Sequence, residues 1–417
     1  MKKLFVFLCV AGLIAASASP LFAGGIDNKT NWSAEYIRTL NRNAATDSAD
    51  IVMYNPAGVM KMDDGLYGNL SVQYILKDYT NNIDGVDFDS DEPSLIPGVF
   101  LLYKQDRWAG FFGLSNVVGG GKVEFDKGNV TTTLIGLSIL QSIGPLGYNI
   151  SDQNVEAEHI GLGYTFGGAF KINDIFSVSL GAMYVDTEQE ATGRVKFSNV
   201  NPAAPDLTAN VDYEQDADGW GGVIGVNISP TEQWNIGIRY NTKVDLDYDI
   251  TVNQNDFNGN PILPIATGDV DTRDLPAILA LGVSYQLNDK IRLETNFTYY
   301  FNEDADWMGD EDFVDNGYDL GIALEYTFNP KLKGSIGYLH TDTGIDAEYM
   351  LPEAPQLNAN TIGAGVAYEA IPGMILNFSL GNAFYEDDSF VSSTTGATIE
   401  YEKNNFFMAF GIQYKFM

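Results

Sequence analysis

The chain has 417 residues, of which 45% are apolar, 12% aromatic and only 19% charged. Asp and Glu outnumber Lys and Arg by 56 to 23, and the net charge of −33 excludes a nucleic-acid partner because such a surface repels phosphate backbones. The apolar content is too high for a disordered acidic chain. Many aromatic residues, 43 glycines and few charges favour an all-β chain and raise the question of whether it faces lipid.

Residues 1–23 have the three parts of a secretory signal peptide. Residues 1–3 are Met-Lys-Lys, residues 4–16 are apolar, and residues 21–23 (Leu-Phe-Ala) offer a cleavage site with a small final residue. A second site after Ala18 stays open. The apolar run is too short to span a membrane as a helix. Cys9 is the only cysteine, so the mature chain is predicted to contain neither a disulfide nor a thiol.

Downstream, apolar and polar residues alternate with a period of two over long segments. This pattern is typical of strands with one face towards lipid and the other towards a lumen. Residues 234–249 are predicted to form one such strand. Its lipid face would run from Trp234 through Val244 and Leu246 to Tyr248.

The sequence predicts about fourteen strands between residues 66 and 417. They are placed at 66–78, 94–104, 107–118, 157–171, 174–188, 219–229, 234–249, 275–287, 290–302, 316–328, 332–343, 359–370, 373–386 and 405–416. Short turns alternate with long loops, as in outer-membrane barrels and unlike a soluble β-sandwich. Because lipid cannot satisfy open strand edges, a membrane-spanning chain of this kind must close. The predicted fold is therefore a transmembrane antiparallel β-barrel of about 14 strands.

Residues 24–65 precede the first predicted strand and do not alternate. A disordered periplasmic leader is one interpretation. The segment is nevertheless rich in apolar side chains, including Trp32, Tyr36, Ile37 and Tyr54, which disordered leaders usually lack. Fourteen strands also enclose more space than their own side chains fill. The favoured prediction is a hatch that plugs the lumen.

The order of several motifs resembles the FadL-type family of outer-membrane transporters for long-chain fatty acids and aromatic hydrocarbons. The resemblance begins with residues 42–50 and the hatch motif Asn55, Pro56, Ala57 and Gly58. It continues with strand–turn–strand phrases at residues 218–221, 230–240, 275–285 and 288–290. It covers nearly the whole mature chain, and its specificity lies in the order of the set.

The resemblance implies a hatch-plugged, 14-stranded barrel that takes up hydrophobic molecules by diffusion. Cargo would be captured outside, passed to the lumen and released sideways into the outer membrane through a kink in the third strand. Gly119, Gly120 and Gly121 are the candidate residues for that lateral gate, because glycine permits backbone angles that break a ladder. A flexible loop start is the alternative interpretation of these glycines.

Two further sets of residues are candidates for contact with cargo. The loop at 119–156 carries apolar residues that could form a capture surface, or pack on neighbouring loops: Leu134, Leu137, Ile139, Leu140 and Ile143. Fatty-acid members are expected to hold the carboxylate with basic groups. Arg194 and Arg239 are the candidates here. The family's basic pair is not matched with certainty, so a neutral hydrocarbon or another lipid stays a possible cargo.

No catalytic residues, cofactor or metal site are predicted, and the chain is not expected to be an enzyme. His159 and His340 lie in predicted strands without a motif-like Ser or Asp context. Acidic clusters at residues 84–92 and 303–315 lack EF-hand spacing, so solvated loops are the default interpretation, although such clusters could bridge lipopolysaccharide through divalent ions.

The expected partners are a hydrophobic small molecule and outer-membrane lipid and lipopolysaccharide, and the chain is expected to be monomeric. A general diffusion porin is the competing function, and it would need no hatch.

Overall fold

The computed structural model describes residues 30–393 and 395–416, and the predicted signal peptide lies outside them. Within the described part, no helix is long and apolar enough to cross a membrane. Its two α-helices are α1 (Ala34–Thr39) and α2 (Val130–Ile143). Short 3₁₀ helices occupy Ala49–Val52, Pro56–Lys61, Asn302–Asp304, Asp310–Phe313 and Ala347–Tyr349.

The described residues form eighteen strands. These are β1 (Gly65–Ile83), β2 (Val86–Ser90), β3 (Ser94–Gln105), β4 (Trp108–Phe125), β5 (Tyr148–Lys171), β6 (Phe176–Asn199), β7 (Leu207–Ile228), β8 (Trp234–Asn241), β9 (Asp247–Asp256), β10 (Val270–Thr272), β11 (Ala277–Asn288), β12 (Ile291–Phe301), β13 (Gly317–Asn329), β14 (Leu332–Asp342), β15 (Ala359–Ile371), β16 (Met374–Tyr385), β17 (Asp388–Val391) and β18 (Thr398–Lys415).

Antiparallel pairing closes these strands into a barrel. β1 pairs with β18 from Tyr67–Lys415 to Ile83–Ile399, which removes both sheet edges. Fourteen of the described strands span the wall, while β2, β9, β10 and β17 extend it at the long-loop end. The predicted 14-stranded antiparallel barrel is confirmed. Several strands are longer than predicted, because β5, β6 and β7 continue well beyond the wall.

One predicted strand is wrong in both length and phase. Residues 234–249 form β8 and the start of β9, separated at 242–246. β7 pairs Val223 with Asn241 and Asp216 with Asp249, so β8–β9 contains one residue more than β7 over this stretch. One extra residue reverses the alternation. Trp234 faces outwards, whereas Val244, Leu246 and Tyr248, predicted to face lipid, are buried inside.

Residues 30–64 fold inside the barrel rather than beside it. β1 begins at Gly65, one residue before the predicted boundary. Ser33 caps α1 by accepting a hydrogen bond from Tyr36 N, and the whole helix is buried. Apolar side chains of this segment share one core with the inner wall, among them Ile37, Val52 and Met53. We refer to residues 30–64 as the hatch.

The hatch backbone touches the wall where the wall has glycine. A Cβ added to Gly337 on β14 would lie 1.7 Å from Thr39 O, and one on Gly237 of β8 would lie 1.9 Å from Asn43 O. Gly363 on β15 makes the same kind of approach. The high glycine content therefore has a use beyond turns, because it lets the hatch lie directly against several strands.

Buried ion pairs add polar attachment between hatch and wall. Arg38 Nη1 lies 2.5 Å from Glu325 Oε2 on β13, and Arg292 Nη1 on β12 lies 2.7 Å from the other oxygen of that carboxylate. Ala44 N donates to Glu294 Oε1 at 2.9 Å. Within the hatch, Arg42 Nη2 pairs with Asp50 at 2.6 Å. Breaking such a pair on one side leaves a buried charge uncompensated, which costs about 3–5 kcal/mol.

We expect Gly337→Ala to loosen the hatch, because its methyl group would occupy the position of Thr39 O. Overpacking of this kind costs roughly 1–3 kcal/mol. Gly110→Ala on β4 is the matched control, since a Cβ there meets nothing within 4 Å. The measurement is sugar leakage through protein reconstituted in vesicles. Leakage should rise for Gly337→Ala only, and equal leakage for both variants would contradict the docking role of Gly337.

Candidate functional site

The ladder between β4 and β5 is broken near the middle of β4. Asn116 pairs with Leu162, and Gly121 pairs with His159. β4 therefore advances five residues over a stretch in which β5 advances only three. Gly119 and Gly121 have positive φ angles of 71° and 79°. A Cβ on Gly119 would lie 2.0 Å from His159 O, so only glycine fits this approach. The sequence predicted that this strand ends at these glycines. In the structure β4 continues to Phe125.

Side chains satisfy carbonyl groups that the break releases from the ladder. Trp32 Nε1 of the hatch donates to Asn116 O at 2.8 Å, and Asn116 Nδ2 donates to Gly119 O at 2.8 Å. Lys77 Nζ and Ser94 Oγ both donate to Gly120 O. Because buried backbone groups need partners, these bonds make the break a stable feature of the wall.

An apolar cavity of about 570 Å³ lies between the hatch and this part of the wall. Its lining includes Trp32, Val117, Met183, Val244, Leu275 and Tyr300. Val117 belongs to the unpaired stretch of β4, and Val244 to the irregular segment between β8 and β9. The cavity therefore touches the hatch and both irregular segments at once. We refer to it as the lumen cavity.

Arg239 lies beside the lumen cavity on the inner face of β8. Its side chain is buried, and Cζ lies 5.8 Å from the centre of the Trp32 ring. Among the described residues, neither Nε nor Nη1 has a hydrogen-bond partner. A buried guanidinium without a carboxylate partner is costly, and such a group next to a cavity is suited to an anionic head group.

Arg194, the other predicted polar contact, lies in a different environment. It is exposed on the extended part of β6, and its Nη2 pairs with Asp152 Oδ2 at 2.9 Å. The structure does not bring the two arginines together. Contact of either with cargo stays a prediction, but only Arg239 has the burial and unpartnered nitrogens that such a contact would use.

A second cavity, of about 720 Å³, lies above the wall where β5, β6 and β7 extend beyond it. Helix α2 closes one side. Asn129 caps this helix, accepting from Thr132 N while Thr132 Oγ1 accepts from Asn129 N. The lining is largely apolar, with Ile135 from the helix and Val155, Val195 and Val211 from the strands. We refer to it as the outer cavity.

The five predicted capture residues lie on α2 but not in the described lining of the outer cavity. Ile139 is buried against β6 and β7, and Leu134, Leu140 and Ile143 are partly covered, whereas Leu137 is 44% exposed. Their role in capture stays a prediction. Ile135, which belongs to the same apolar loop in the sequence, does line the outer cavity, but the helix that carries it was not predicted. The Asn129–Thr132 spacing before an apolar run was the available signal.

The hatch motif lies at the bottom of the lumen, against β6 and β7. Asn55 Oδ1 accepts from Gly58 N at 3.2 Å, and Asn55 Nδ2 donates to Asn227 Oδ1 at 2.8 Å. Ser177 Oγ donates to Ala57 O at 2.8 Å, and Pro56 opens the 3₁₀ helix. The motif thus holds one end of the hatch on the wall.

The two histidines take part in wall contacts. His159 Nε2 lies 3.1 Å from Thr187 Oγ1, and His340 Nδ1 lies 3.1 Å from Asn360 Oδ1. One group of acidic residues in the described part has the spacing to hold a metal ion, formed by Glu188, Glu190 and Glu214 on the extended strands. Partial removal from water raises the pKa of Glu190, and the like charges of Glu188 and Glu214 raise it further. The group was not among the sequence predictions.

Comparison with known families decides the relationship. A family model described as outer membrane protein transport protein (OMPP1/FadL/TodX) matches residues 14–416. The chain belongs to this family. It is an outer-membrane transport protein, and the predicted resemblance is confirmed. A comparison with curated proteins found no match.

Solved structures of family members share the fold. A FadL homologue of Pseudomonas aeruginosa superposes with a TM-score of 0.70 at 15% identity, covering 95% of this chain and 100% of that one. The toluene transporter TodX of P. putida gives 0.66 at 15% identity, covering 95% and 99%. The toluene transporter TbuX of Ralstonia pickettii gives 0.62 at 17% identity, with the same coverage. At these identities the likeness establishes the fold.

We expect Arg239→Met to weaken binding of a long-chain fatty acid while stabilising the barrel. Loss of hydrogen bonds to a charged group costs about 1.5–3 kcal/mol, or roughly a ten- to hundredfold rise in Kd. Removal of an unpaired buried charge should raise the unfolding temperature. The measurements are equilibrium binding of a fatty acid and of the matching alcohol, and thermal unfolding.

Arg194→Met is the matched control, because that guanidinium is exposed and paired with Asp152. It should leave both affinities unchanged. Equal loss of acid and alcohol binding in Arg239→Met would show that the side chain shapes the cavity but does not bind the carboxylate head group.

Proposed function

We propose that this chain takes up hydrophobic molecules passively across the outer membrane, with long-chain fatty acids as the leading class of cargo. Cargo is captured in the outer cavity, passes to the lumen cavity and leaves through the wall at the β4 break. The predicted signal peptide at 1–23 exports the chain. The barrel works as a monomer surrounded by outer-membrane lipid and lipopolysaccharide.

The observation that carries this proposal is the position of Val117. This residue lies in the stretch of β4 that has lost its ladder with β5, and it also lines the lumen cavity. The hatch fills the lumen below, so a molecule in the cavity lies against the irregular part of the wall. Gly119, Gly120 and Gly121 lie in that break and are the proposed lateral gate.

Arg239 supports an acidic cargo. An acyl chain would lie among the apolar residues of the lumen cavity, gaining ~0.8 kcal/mol per buried CH₂, while its carboxylate meets the guanidinium. A fatty acid combines both features in one molecule. The cavity therefore suits an amphipathic ligand better than a sugar or an ion.

A neutral aromatic hydrocarbon is the second candidate cargo. It is favoured by the outer cavity, whose described lining contains no basic residue. Two of the similar structures are toluene transporters, although their low identity to this chain transfers only the fold. A general porin fits less well, because the hatch occupies the lumen that water-soluble solutes would need.

Deleting Val117 and Gly120 together tests the lateral route. It removes the two residues that β4 has in excess of β5, so the ladder should become regular and the passage should close. Uptake of a labelled fatty acid should then fall to that of vesicles without protein. The vesicles need a lipopolysaccharide outer leaflet, because plain phospholipid admits hydrophobic molecules unaided.

Val117→Ala is the control, since it alters the cavity but keeps both extra residues. It should retain uptake. Heat-modifiable migration on gels shows whether each variant forms a barrel. A folded deletion variant with normal uptake would refute lateral release at β4.

A further inference from the structure

The outer cavity contains one acidic side chain in a largely apolar lining. Glu353 projects from the loop between β14 and β15, and among the described lining residues only it and the Tyr213 phenol can ionise. It is half-buried, and its Oε1 accepts a hydrogen bond from Asn129 Nδ2 at 2.8 Å. The transport route proposed above makes no use of this carboxyl group.

A second buried polar group lies at the same end of the cavity. Thr131 Oγ1 lines the cavity close to the Glu353 carboxyl group and helps to lower the pKa of that group. Glu353 and Thr131 therefore form a small polar end in an apolar space. The head group of an amphipathic ligand would lie here while its apolar part lies along β6 and β7.

None of the described lining residues is basic, so none of them neutralises the carboxylate charge of Glu353. The elements packed against it contribute Asn129 and Thr131 from the start of α2, the phenols of Tyr213 and Tyr401, and Lys403 from β18. Lys403 Nζ donates to Pro355 O at 3.0 Å and lies over two tyrosine rings. Burial raises the pKa of Glu353, and the hydrogen bond from Asn129 partly offsets this.

We propose that Glu353 makes the outer cavity select for an uncharged head group. A neutral hydrophobe or an alcohol would enter freely, and a carboxylic acid would enter only when it shares a proton with Glu353. Two carboxylates in one small site repel each other strongly, whereas a carboxyl–carboxylate pair forms a hydrogen bond. The inference rests on the proposed uptake function and assigns Glu353 as a specificity-determining residue.

The outer and lumen cavities would then differ in the form of cargo that they hold. The outer cavity would take an acid in its protonated form, and Arg239 would hold it as a carboxylate in the lumen cavity. The shared proton would stay on the Glu353 carboxyl group when the acid leaves the outer cavity as a carboxylate. A neutral hydrocarbon would pass the outer cavity without any such dependence on pH.

The test measures binding at the outer cavity alone, on the full-length protein. Thr192→Cys places an environment-sensitive fluorophore at the cavity mouth, and no other thiol is expected in the mature chain. A long-chain fatty acid and the matching alcohol are titrated between pH 5 and pH 8. Glu353→Gln is the test variant. Glu348→Gln, an exposed residue of the same loop, changes the net charge equally and is the control.

In the parent protein, fatty-acid affinity should fall at least about tenfold as the pH rises, and alcohol affinity should stay constant. Glu353→Gln should bind the acid at pH 8 at least about tenfold more tightly than the parent, because a neutral amide removes the like-charge repulsion. Glu348→Gln should behave as the parent does. Identical acid binding by Glu353→Gln and the parent at every pH would overturn the inference.

The fate of the proposed function is read separately. If labelled fatty acid does not cross the membrane but the pH pattern depends on Glu353, charge selection stands and the uptake proposal fails. If uptake is normal and the pattern is absent, uptake stands and charge selection fails.

Discussion

The hatch backbone lies in close contact with glycines of the wall, and this contact determines how the hatch, the cavities and the strand irregularities are arranged. Thr39 O and Asn43 O occupy the space that a side chain at position 337 or 237 would need. Contact at this distance leaves little room for water between plug and wall. Buried ion pairs from Arg38 to Glu325 and around Arg292 hold the two parts in register. We expect a plug held in this way to oppose the passage of solutes down the lumen.

Two strands of the wall are irregular next to the hatch. Two extra residues in β4 interrupt its ladder with β5, and one extra residue in β8–β9 turns Val244 into the lumen. Both irregularities border the lumen cavity. The carbonyl groups of β4 that the break leaves unpaired accept hydrogen bonds from the side chains of Trp32, Asn116, Lys77 and Ser94. These bonds stabilise the irregular part of the wall. The plug, the cavity and the break thus form one connected arrangement.

The sequence predicted the closed barrel, its approximate strand count and most strands, because alternation over long segments is a strong signal when it recurs fourteen times. It failed at 234–249, where a single extra residue reverses the phase and leaves no mark in composition. It also missed α2, whose Val, Thr and Ile residues suit a strand as well as a helix. Arg239 was named as a candidate from the pattern, but its lack of a carboxylate partner depends on neighbours distant in sequence. Glu353 lies in a loop without periodicity, and only the folded chain brings it to the outer cavity.

The proposed function requires that the hatch-filled barrel admit hydrophobic molecules and exclude water-soluble ones. The most direct test is to measure, in the same vesicles with a lipopolysaccharide outer leaflet, entry of a labelled long-chain fatty acid, a neutral aromatic and a small sugar through the unmodified protein. We expect protein-dependent entry of a hydrophobic molecule with no entry of sugar. Free passage of sugar would contradict it and would identify an open porin.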